Sequence, residues 1–319
     1  MRIFLASPID DTAVAVLAER HDVTRPASAG AGGVDPGLAA CEVLVVRSGV
    51  TMSADVLSGA PDLRLVVRAG SGLDNLDLDH LASAGIRLFR VPGPGARAVA
   101  ELTFGLILAV ARRIVEADRQ VREGRWRKHE LAGPLLEDKV LGIVGAGNIG
   151  STVGRLGVAW GMRVVGCIGG GDDVSRARLE GSGIAILDLD AVVSAADILT
   201  IHVPLLQTTR HLVGASVIAR LRPRSIVVNA ARGGVLDEGA LYEALASGHL
   251  AGAGLDVHER EGDGVVPPLA DLANVVLTPH IGAMAADAQQ QIGARVVELV
   301  DAFERGDVDI VARPEELVL

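Results

Sequence analysis

Three polar side chains follow predicted strands in the second half of the sequence: Arg232 in NAARGG, Glu261 in DVHERE and His280 in LTPHIG. A guanidinium can bind a carboxylate through two parallel hydrogen bonds, and an imidazole can give or take a proton near neutral pH. A carboxylate beside an imidazole favours the protonated ring, which keeps a proton available for a keto oxygen. Because ligands of open parallel sheets bind beyond the strand ends, the three residues predict acid–base chemistry on a carboxylate-bearing compound.

Each of these side chains has a structural alternative when it is considered alone. A histidine after a strand is often a capping or core residue, and a single arginine is usually a surface charge. Their joint occurrence after a dinucleotide-type loop favours a catalytic role for all three. The other histidines considered fit no such arrangement and are interpreted as structural or exposed: His129, His202, His249 and His258.

The glycine pattern Gly145-Ala-Gly147-Asn-Ile-Gly150 directly follows the predicted strand Leu141–Val144 and opens a predicted helix. The first glycine permits a tight turn, the second lets backbone approach a pyrophosphate, and the third allows close packing of helix on strand. The start of the helix adds N–H donors and a partial positive charge. In this setting the pattern predicts a dinucleotide site. A bare tight turn and an S-adenosylmethionine site are the alternatives.

The choice between NAD and NADP is open at the next strand. An NAD site usually has an acid there that bonds the ribose 2′-hydroxyl, but the predicted strand Arg163–Cys167 ends at Ile168. Asp172 and Asp173 follow three glycines, and Arg176 and Arg178 come a little later. Either an Asp folds back onto the ribose or the site accepts a 2′-phosphate. We favour NAD because the acids precede the arginines.

Strands that alternate with helices must position these residues, and this order predicts mainly parallel sheets in an α/β fold. A first series has predicted strands at Arg2–Ala6, Val43–Arg47, Leu65–Arg68 and Arg87–Arg90. The VPGPGA segment then marks a domain boundary before a long amphipathic helix. A second series has predicted strands at Leu141–Val144, Arg163–Cys167, Ile198–His202, Ile226–Asn229, Gly252–Asp256 and Val275–Thr278, and a last helix covers Ala288–Arg305.

Composition narrows the classes of partner. The 319 residues suggest roughly two domains at about 150 residues each. Lys+Arg 30 against Asp+Glu 40 gives a net charge of −10, which disfavours nucleic acid and anionic lipid. Cys41 and Cys167 lack metal or redox spacing, and the N-terminus lacks a secretory signal. The most apolar segment, Leu102–Ala111, is too short to span a bilayer. We expect a cytoplasmic protein without metal, membrane or nucleic-acid partners.

The chain resembles the D-isomer-specific 2-hydroxyacid dehydrogenases, and most closely their D-3-phosphoglycerate dehydrogenase branch. The matching stretches run in order along nearly the whole chain: VVRSGVTMSADVL, VVRAGSGLDNLDL, AELTFGLILAVAR, LGIVGAGNIG, HVPLLQTTRHLVG, NAARGGVLDEGALYEALASGHLAGAGLDVHE and NVVLTPHIGA. The resemblance implies two Rossmann or flavodoxin-like doubly wound domains with an active-site cleft between them. Residues 1–97 with 286–319 would form the substrate domain, and residues 98–285 the dinucleotide-binding domain.

The resemblance also implies hydride transfer between a nicotinamide and C2 of a 2-hydroxy or 2-keto acid. Arg232 would orient the substrate, His280 would be the acid and base, and Glu261 would tune His280. Residues implied at the cofactor are Gly145, Gly147, Asn148, Ile149, Gly150, Ile168, Val203, Ala230, Ala231, Arg232, Asp256, His280 and Gly282. Residues implied at the substrate are Arg47, Ser48, Arg68, Gly70, Ser71, Gly72, Arg232 and His280.

Some residues depart from the family pattern. Ile168 stands at the ribose acid position, Glu261-Gly262 replaces a Glu-Pro pair, and Gly49-Val50-Thr51 replaces a Thr-Lys pair of phosphoglycerate enzymes. The substrate is therefore expected to be 3-phosphoglycerate or a hydroxypyruvate-like acid, with NAD as the cofactor and NADP as the alternative. A dinucleotide-sensing co-repressor on the same fold is the functional alternative.

The resemblance further implies a homodimer or homotetramer assembled through Ala98–Leu136. Since the chain ends at Leu319, we expect no regulatory domain after it.

Overall fold

The computed structural model describes residues 1–26, 35–170 and 173–319. The chain folds into two compact units. One consists of residues 1–98 and 283–319, and the other of residues 99–282.

The first unit contains a parallel sheet of five strands in the order β2-β1-β3-β4-β5. The strands are β1 (Arg2–Leu5), β2 (Asp22–Thr24), β3 (Val43–Val46), β4 (Leu65–Arg68) and β5 (Arg87–Arg90). All residues of β3 and β4 are buried, as expected for parallel strands that are covered on both faces. The C-terminal residues pair antiparallel with β5 through Phe89 and Leu317, so this edge of the sheet is not open.

Helices cover both faces of this sheet. They are α1 (Asp11–Ala18), α2 (Pro36–Ala39), α3 (Ala54–Ser58), α4 (Leu78–Ser83), α12 (Ala286–Arg305) and α13 (Val308–Val311). Side chains of Asp10, Ser53 and Asp77 cap the starts of α1, α3 and α4, and each cap stabilises its helix by about 1 kcal/mol. The apolar stripe of α12 packs Ile292, Val296 and Leu299 against β1, β3 and β4.

The second unit contains a parallel sheet of seven strands in the order β12-β11-β10-β9-β6-β7-β8. The strands are β6 (Val140–Val144), β7 (Arg163–Cys167), β8 (Ile184–Ile186), β9 (Ile198–Ile201), β10 (Ile226–Asn229), β11 (Gly252–Leu255) and β12 (Val275–Leu277). The chain runs from β6 outwards to β8 and then returns to β9 on the other side of β6. Its topological switch point therefore lies between β6 and β9, which is where such sheets bind ligands beyond the strand ends.

Helices of the second unit are α6 (Ile114–Arg122), α7 (Asn148–Ala159), α8 (Asp173–Gly181), α9 (Leu189–Ala195), α10 (Ala215–Ile218) and α11 (Glu238–Ala246), with 3₁₀ turns at Lys128–Leu131 and Pro268–Asp271. Two apolar cores lie against the sheet, one built around Val193, Leu199 and Leu241, the other around Leu141, Ile143 and Val228. The α/β class with parallel sheets is therefore confirmed.

The long helix α5 (Gly93–Ala111) starts earlier than the sequence predicts. Pro94 lies in its first turn, where a missing N–H costs no intrahelical bond, so the VPGPGA segment begins the helix instead of preceding it. The helix that contains the apolar segment Leu102–Ala111 is therefore 19 residues long. Among the described residues, α5 is the one helix long and apolar enough to cross a membrane, and more than half of it is buried in the protein.

The sequence analysis also missed β2 and β8. Both are three-residue strands at sheet edges, too short for a detectable apolar alternation. Five residues that were predicted inside strands lie just beyond the strand ends instead, namely Ala6, Arg47, His202, Asp256 and Thr278.

Candidate active site

The glycine loop after β6 gives each of its three glycines a different environment. Gly145 has a φ of +94°, and a Cβ there would lie 2.6 Å from Val203 Cγ1. A Cβ on Gly150 would lie 2.1 Å from the Gly145 carbonyl oxygen, whereas one on Gly147 would meet nothing within 4 Å. A side chain at Gly145 or Gly150 would therefore clash with neighbouring atoms of the protein, whereas Gly147 leaves open space beside the backbone.

The start of α7 faces this open space. Gly147 and Asn148 are exposed, Ile149 is half-buried, and no side chain caps the helix. The first turn contains no acidic residue, so its N–H groups and partial positive charge remain available to an anion. These residues fit the pyrophosphate of a dinucleotide.

The end of β7 offers no carboxylate within the described residues. Ile168 packs against the apolar core around Leu141 and Ile143. Asp172 lies outside the described residues, and Asp173 begins α8. Arg176 donates from Nη1 to the carbonyl oxygen of Ile186 at 3.2 Å, which places a guanidinium at the end of the neighbouring strand β8. Ile168 is thus packed on the apolar side, and the Arg176 guanidinium at the end of β8 also lies 3.9 Å from Glu180 Oε1.

Other residues predicted at the cofactor follow the strands next to β6. Val203 comes after β9 and contacts the Gly145 position, and Ala230 and Ala231 are buried directly after β10. Gly282 is also buried, and its N–H donates to Asp256 Oδ2 at 2.7 Å.

Glu261 and His280 form a hydrogen-bonded pair. His280 Nδ1 lies 2.9 Å from Glu261 Oε2, and both side chains are partly exposed. Glu261 Oε1 accepts from the backbone N–H of His258 at 3.2 Å. Partial burial acts to raise the pKa of the Glu261 carboxyl, but the hydrogen bond and charge of His280 and the N–H of His258 outweigh it, so this pKa lies below its ordinary value.

A buried carboxylate shapes the turn that carries His280. Asp256 is fully buried and accepts from Thr278 Oγ1 at 2.6 Å, from the N–H of Ile281 at 2.9 Å and from that of Gly282 at 2.7 Å. The N–H of His280 donates to the Asp256 carbonyl oxygen at 2.7 Å, and His280 has a φ of +55°. The side chain of Asp256 therefore holds the backbone around His280 in a left-handed conformation. The sequence analysis placed Asp256 only at the cofactor and missed this role.

Arg232 is held by Asn229, which the sequence analysis also missed. Asn229 is buried; its Nδ2 donates to the Arg232 carbonyl oxygen at 3.0 Å, and its Oδ1 accepts from the N–H of Ala231 at 3.1 Å. A Cβ on the next residue, Gly233, would lie 1.8 Å from the His258 carbonyl oxygen. The turn after β10 thus touches the loop after β11, and the structure brings the Arg232 turn and the Glu261–His280 pair onto adjacent strand ends.

In the first unit, Arg47 follows β3. Its guanidinium donates to the Pro8 carbonyl oxygen and to Met284 Sδ, both at 3.3 Å, and burial lowers its pKa. Asn75 Nδ2 donates to the carbonyl oxygens of Arg47 at 2.9 Å and Val50 at 2.6 Å. Asn75 therefore fixes the loop that contains Arg47 and the exposed Ser48.

The turn after β4 contains Gly70, Ser71 and Gly72. Arg68, at the end of β4, is buried, and a Cβ on Gly70 would lie 2.6 Å from its Nη1. Ser71 Oγ donates to the Pro92 carbonyl oxygen at 3.2 Å, and Arg90 Nη1 donates to the Ser71 carbonyl oxygen at 3.5 Å. Within the described residues, the N–H groups of Ser71 and Gly72 donate no hydrogen bond to the protein.

His202 and the two cysteines are not predicted at these sites, but the carbonyl oxygens of His202 and Cys167 both lie against Gly145. His202 lies just after β9, where burial lowers the pKa of its imidazole to about 3, so the ring is neutral at physiological pH. Cys41 is buried, which raises the pKa of its thiol to about 11, whereas Cys167 is only half-buried.

Comparisons with known proteins identify the family of this chain. The family profile described as "D-isomer specific 2-hydroxyacid dehydrogenase, NAD binding domain" matches residues 104–282. The hydroxypyruvate reductase of Thermotoga maritima is 41% identical over 81% of this chain and 83% of its own length. The D-3-phosphoglycerate dehydrogenase of Archaeoglobus fulgidus is 38% identical over 83% of this chain and 50% of its own length. The solved D-lactate dehydrogenase of Aquifex aeolicus, complexed with NAD and lactic acid, has a TM-score of 0.84 and 28% identity over 96% of both chains.

The chain belongs to the D-isomer specific 2-hydroxyacid dehydrogenases. As a member of this family it is an NAD-dependent oxidoreductase that acts on the CH–OH group of 2-hydroxy acids. The co-repressor alternative is not favoured, and a site for S-adenosylmethionine does not agree with the NAD binding domain.

This dehydrogenase covers different shares of the lengths of its relatives. It spans about half the length of the phosphoglycerate dehydrogenases that it matches, but most of the length of the hydroxypyruvate reductase.

Proposed function

We propose that the protein reduces a small 2-keto acid, or oxidises the corresponding D-2-hydroxy acid, with His280 as the acid and base, Glu261 as its partner and Arg232 as the substrate anchor. The observation that carries this proposal is the 2.9 Å bond between His280 Nδ1 and Glu261 Oε2 at the ends of β11 and β12, next to the Arg232 turn. Both side chains are accessible enough to meet a substrate.

The pair determines which nitrogen handles the proton. Because His280 Nδ1 is bonded to Glu261, Nε2 is the nitrogen left to give a proton to a keto oxygen or to take one from a hydroxyl group. Glu261 keeps a negative charge near neutral pH because its pKa is lowered, so its carboxylate can accept the hydrogen on Nδ1 and orient the ring. When the keto acid is reduced, the proton on Nε2 becomes the hydroxyl hydrogen and His280 becomes neutral.

The cofactor residues have separate tasks. NAD, when bound, supplies or accepts the hydride at C2 of the substrate. The backbone of Gly147, Asn148 and Ile149 would hold the pyrophosphate, and Gly145 and Gly150 keep that loop close to β6. The remainder of the NAD site would be lined by Ile168, Val203, Ala230, Ala231, Asp256 and Gly282. Ile168 provides no acid for a ribose hydroxyl, and Arg176 is bonded to the end of the neighbouring strand β8, so we also expect measurable turnover with NADP.

Anionic groups of the substrate require positive partners. We propose that Arg232 binds the carboxylate and that the first unit contributes the N–H groups of Ser71 and Gly72, with Arg47, Ser48, Arg68 and Gly70 around them. The N–H groups of Ser71 and Gly72 are free of internal bonds within the described residues. Gly49-Val50-Thr51 lacks the lysine of phosphoglycerate enzymes, so a hydroxypyruvate-like acid is our first candidate and 3-phosphoglycerate the second.

A panel of acids tests this function. The purified protein is mixed with NADH or NADPH and with hydroxypyruvate, glyoxylate, pyruvate or 3-phosphohydroxypyruvate, and absorbance of the reduced cofactor is followed. We expect the highest kcat/KM with hydroxypyruvate and NADH. If no acid is reduced, the proposed function is wrong.

We further propose that the protein is cytoplasmic and forms a homodimer through residues 98–136. Large apolar side chains are exposed on α6 and the segment after it, namely Ile114, Val115, Val121, Trp126 and Leu135. Exposed apolar clusters of this kind mark protein interfaces. Light scattering of the wild type and of Trp126→Asp tests the proposal, since the substitution is expected to shift the mass from dimer towards monomer.

A further inference from the structure

His258 lies where the loops after β10, β11 and β12 meet. Its carbonyl oxygen packs against Gly233, directly beside Arg232. Its backbone N–H donates to Glu261 Oε1 at 3.2 Å, and its ring Nε2 bonds the Thr278 carbonyl oxygen at 3.1 Å, two residues before His280. One residue thus touches the segments that carry all three proposed catalytic side chains.

We propose that His258 is a positioning residue that fixes the Glu261–His280 pair by tying the loop after β11 to the loop after β12. The inference rests on the proposed function, in which this pair transfers the proton. His258 itself need not touch the substrate.

The chemistry of the ring supports this role. A carbonyl oxygen can only accept, so Nε2 of His258 carries a hydrogen and donates it to Thr278. In the neutral ring, Nδ1 then holds a lone pair; it is buried and has no hydrogen-bond partner among the described residues. The ring is thus used for a single bond, and that bond joins two loops.

The anchor reaches the catalytic pair through the backbone. The ring bond and the close contact with Gly233 restrict residue 258 from two sides, which aims its N–H at Glu261. Glu261 then has one oxygen held by the backbone and the other by His280. Thr278 is held in turn by Asp256, so both ends of the His258 bond are rigid.

Loss of the anchor should also be visible in the pH dependence. The groups that influence Glu261 are His280 and His258, and both act to lower the pKa of its carboxyl. The nearby Glu259 is occupied by His211 at 3.0 Å and by the N–H of Glu238 at 3.4 Å, so it does not replace either group. Without the anchored N–H, Glu261 should protonate at a higher pH.

Three variants test the inference in the full-length enzyme. His258→Phe keeps the volume but removes the donor, His258→Gln keeps an N–H donor near the Nε2 position, and His249→Phe is a matched control. His249 Nε2 likewise bonds a backbone carbonyl oxygen, that of Ile218 at 3.2 Å, but lies outside the proposed site. Steady-state reduction of the best keto acid of the panel is measured across pH, with thermal melting of each variant.

We expect His258→Phe to lower kcat by about 10-fold, as for coupled neighbours in one network, and to move the acid limb of the kcat profile to higher pH. KM for the keto acid should change little. His258→Gln should keep most of the wild-type kcat, and His249→Phe should keep all of it.

Specific outcomes overturn the inference. If His258→Phe has the kcat and pH profile of the wild type, or cannot be distinguished from His249→Phe, His258 is only a structural residue. If His258→Phe does not fold, His258→Asn replaces it, because its shorter side chain cannot reach Thr278; equal activity of the Asn and Gln variants then overturns the inference. Failure of the proposed function looks different, because the wild type would then reduce no acid or His280→Ala would remain active.

Discussion

The two units arrange polar side chains at their strand ends in different ways. In residues 99–282, these side chains bond one another or shape one another's backbone, as Glu261 does with His280 and Asp256 with the His280 turn. In the other unit, the guanidinium groups of Arg47 and Arg90 bond backbone carbonyl oxygens and a thioether, with no carboxylate among their partners in the described residues.

This difference agrees with the two chemical tasks that we propose for these side chains. A group that transfers a proton must be oriented and tuned before the substrate arrives, and a neighbouring carboxylate does both. An arginine that awaits an anion gains from partners that fix it without neutralising it, because a carboxylate partner would have to be displaced. Substitutions of His280 and Glu261 should therefore change kcat, and substitutions of Arg47 should change KM.

The largest effect is expected for His280→Ala. Loss of the proton donor should lower kcat by roughly 10²–10⁴, with KM for the keto acid nearly unchanged. Cofactor absorbance gives the rates, and quenching of fluorescence on NADH binding shows whether the cofactor site is intact. If the variant binds NADH and retains most of the wild-type kcat, His280 is not the proton donor.

Arg47→Gln should give the next largest effect, but on KM. A hydrogen bond to a charged group contributes about 1.5–3 kcal/mol, so KM for the keto acid should rise by roughly 10- to 100-fold while kcat stays close to the wild type. Arg20→Gln is the matched control, because Arg20 is an arginine of the same unit that is already paired with Asp301. A loss of kcat at unchanged KM would contradict the assignment of Arg47 to anion binding.

The sequence predicted those parts of the site that depend on local order. The Gly145 loop is fixed by one strand, one turn and one helix, so its residue types reveal its conformation. Arg232, Glu261 and His280 could be grouped because parallel strands bring their carboxyl ends to one edge. Each of these inferences needed only the element order and the identity of a few residues.

The remaining features depend on contacts between distant segments. Asp256 and Asn229 look like ordinary strand-end residues until the turns that they hold are known, and Asn75 and His258 have no motif of their own. Gly233 is a typical turn glycine by sequence, but its contact with His258 decides how close the Arg232 turn lies to Glu261. Residues that support a site are thus harder to predict than residues that perform its chemistry.

Glu261→Gln tests the role of the Glu261 carboxylate in proton transfer. The neutral amide retains the shape of the side chain but not its charge, so kcat at neutral pH should fall by about 10-fold. The folded-state pKa of Glu261 is lowered, so the ionised pair contributes fully above the ordinary pKa of a glutamate and is lost as the pH falls through the lowered value. The fall of kcat at low pH that we expect for the wild type should therefore be smaller in the variant. Profiles of identical shape would show that this carboxyl does not tune His280.

Ser71→Ala tests the smallest expected effect, in the turn of the first unit. The hydroxyl donates to the Pro92 carbonyl oxygen and helps to hold the N–H groups of Ser71 and Gly72 in place. Such a bond contributes about 0.5–1.5 kcal/mol, so KM should rise by about 3-fold and kcat should not change. Ser58→Ala removes an equivalent bond, from an exposed serine to the Ala54 carbonyl oxygen, and should leave KM unchanged. A lower kcat in Ser71→Ala would mean that this turn also affects proton transfer, which contradicts its proposed role in binding the substrate anion.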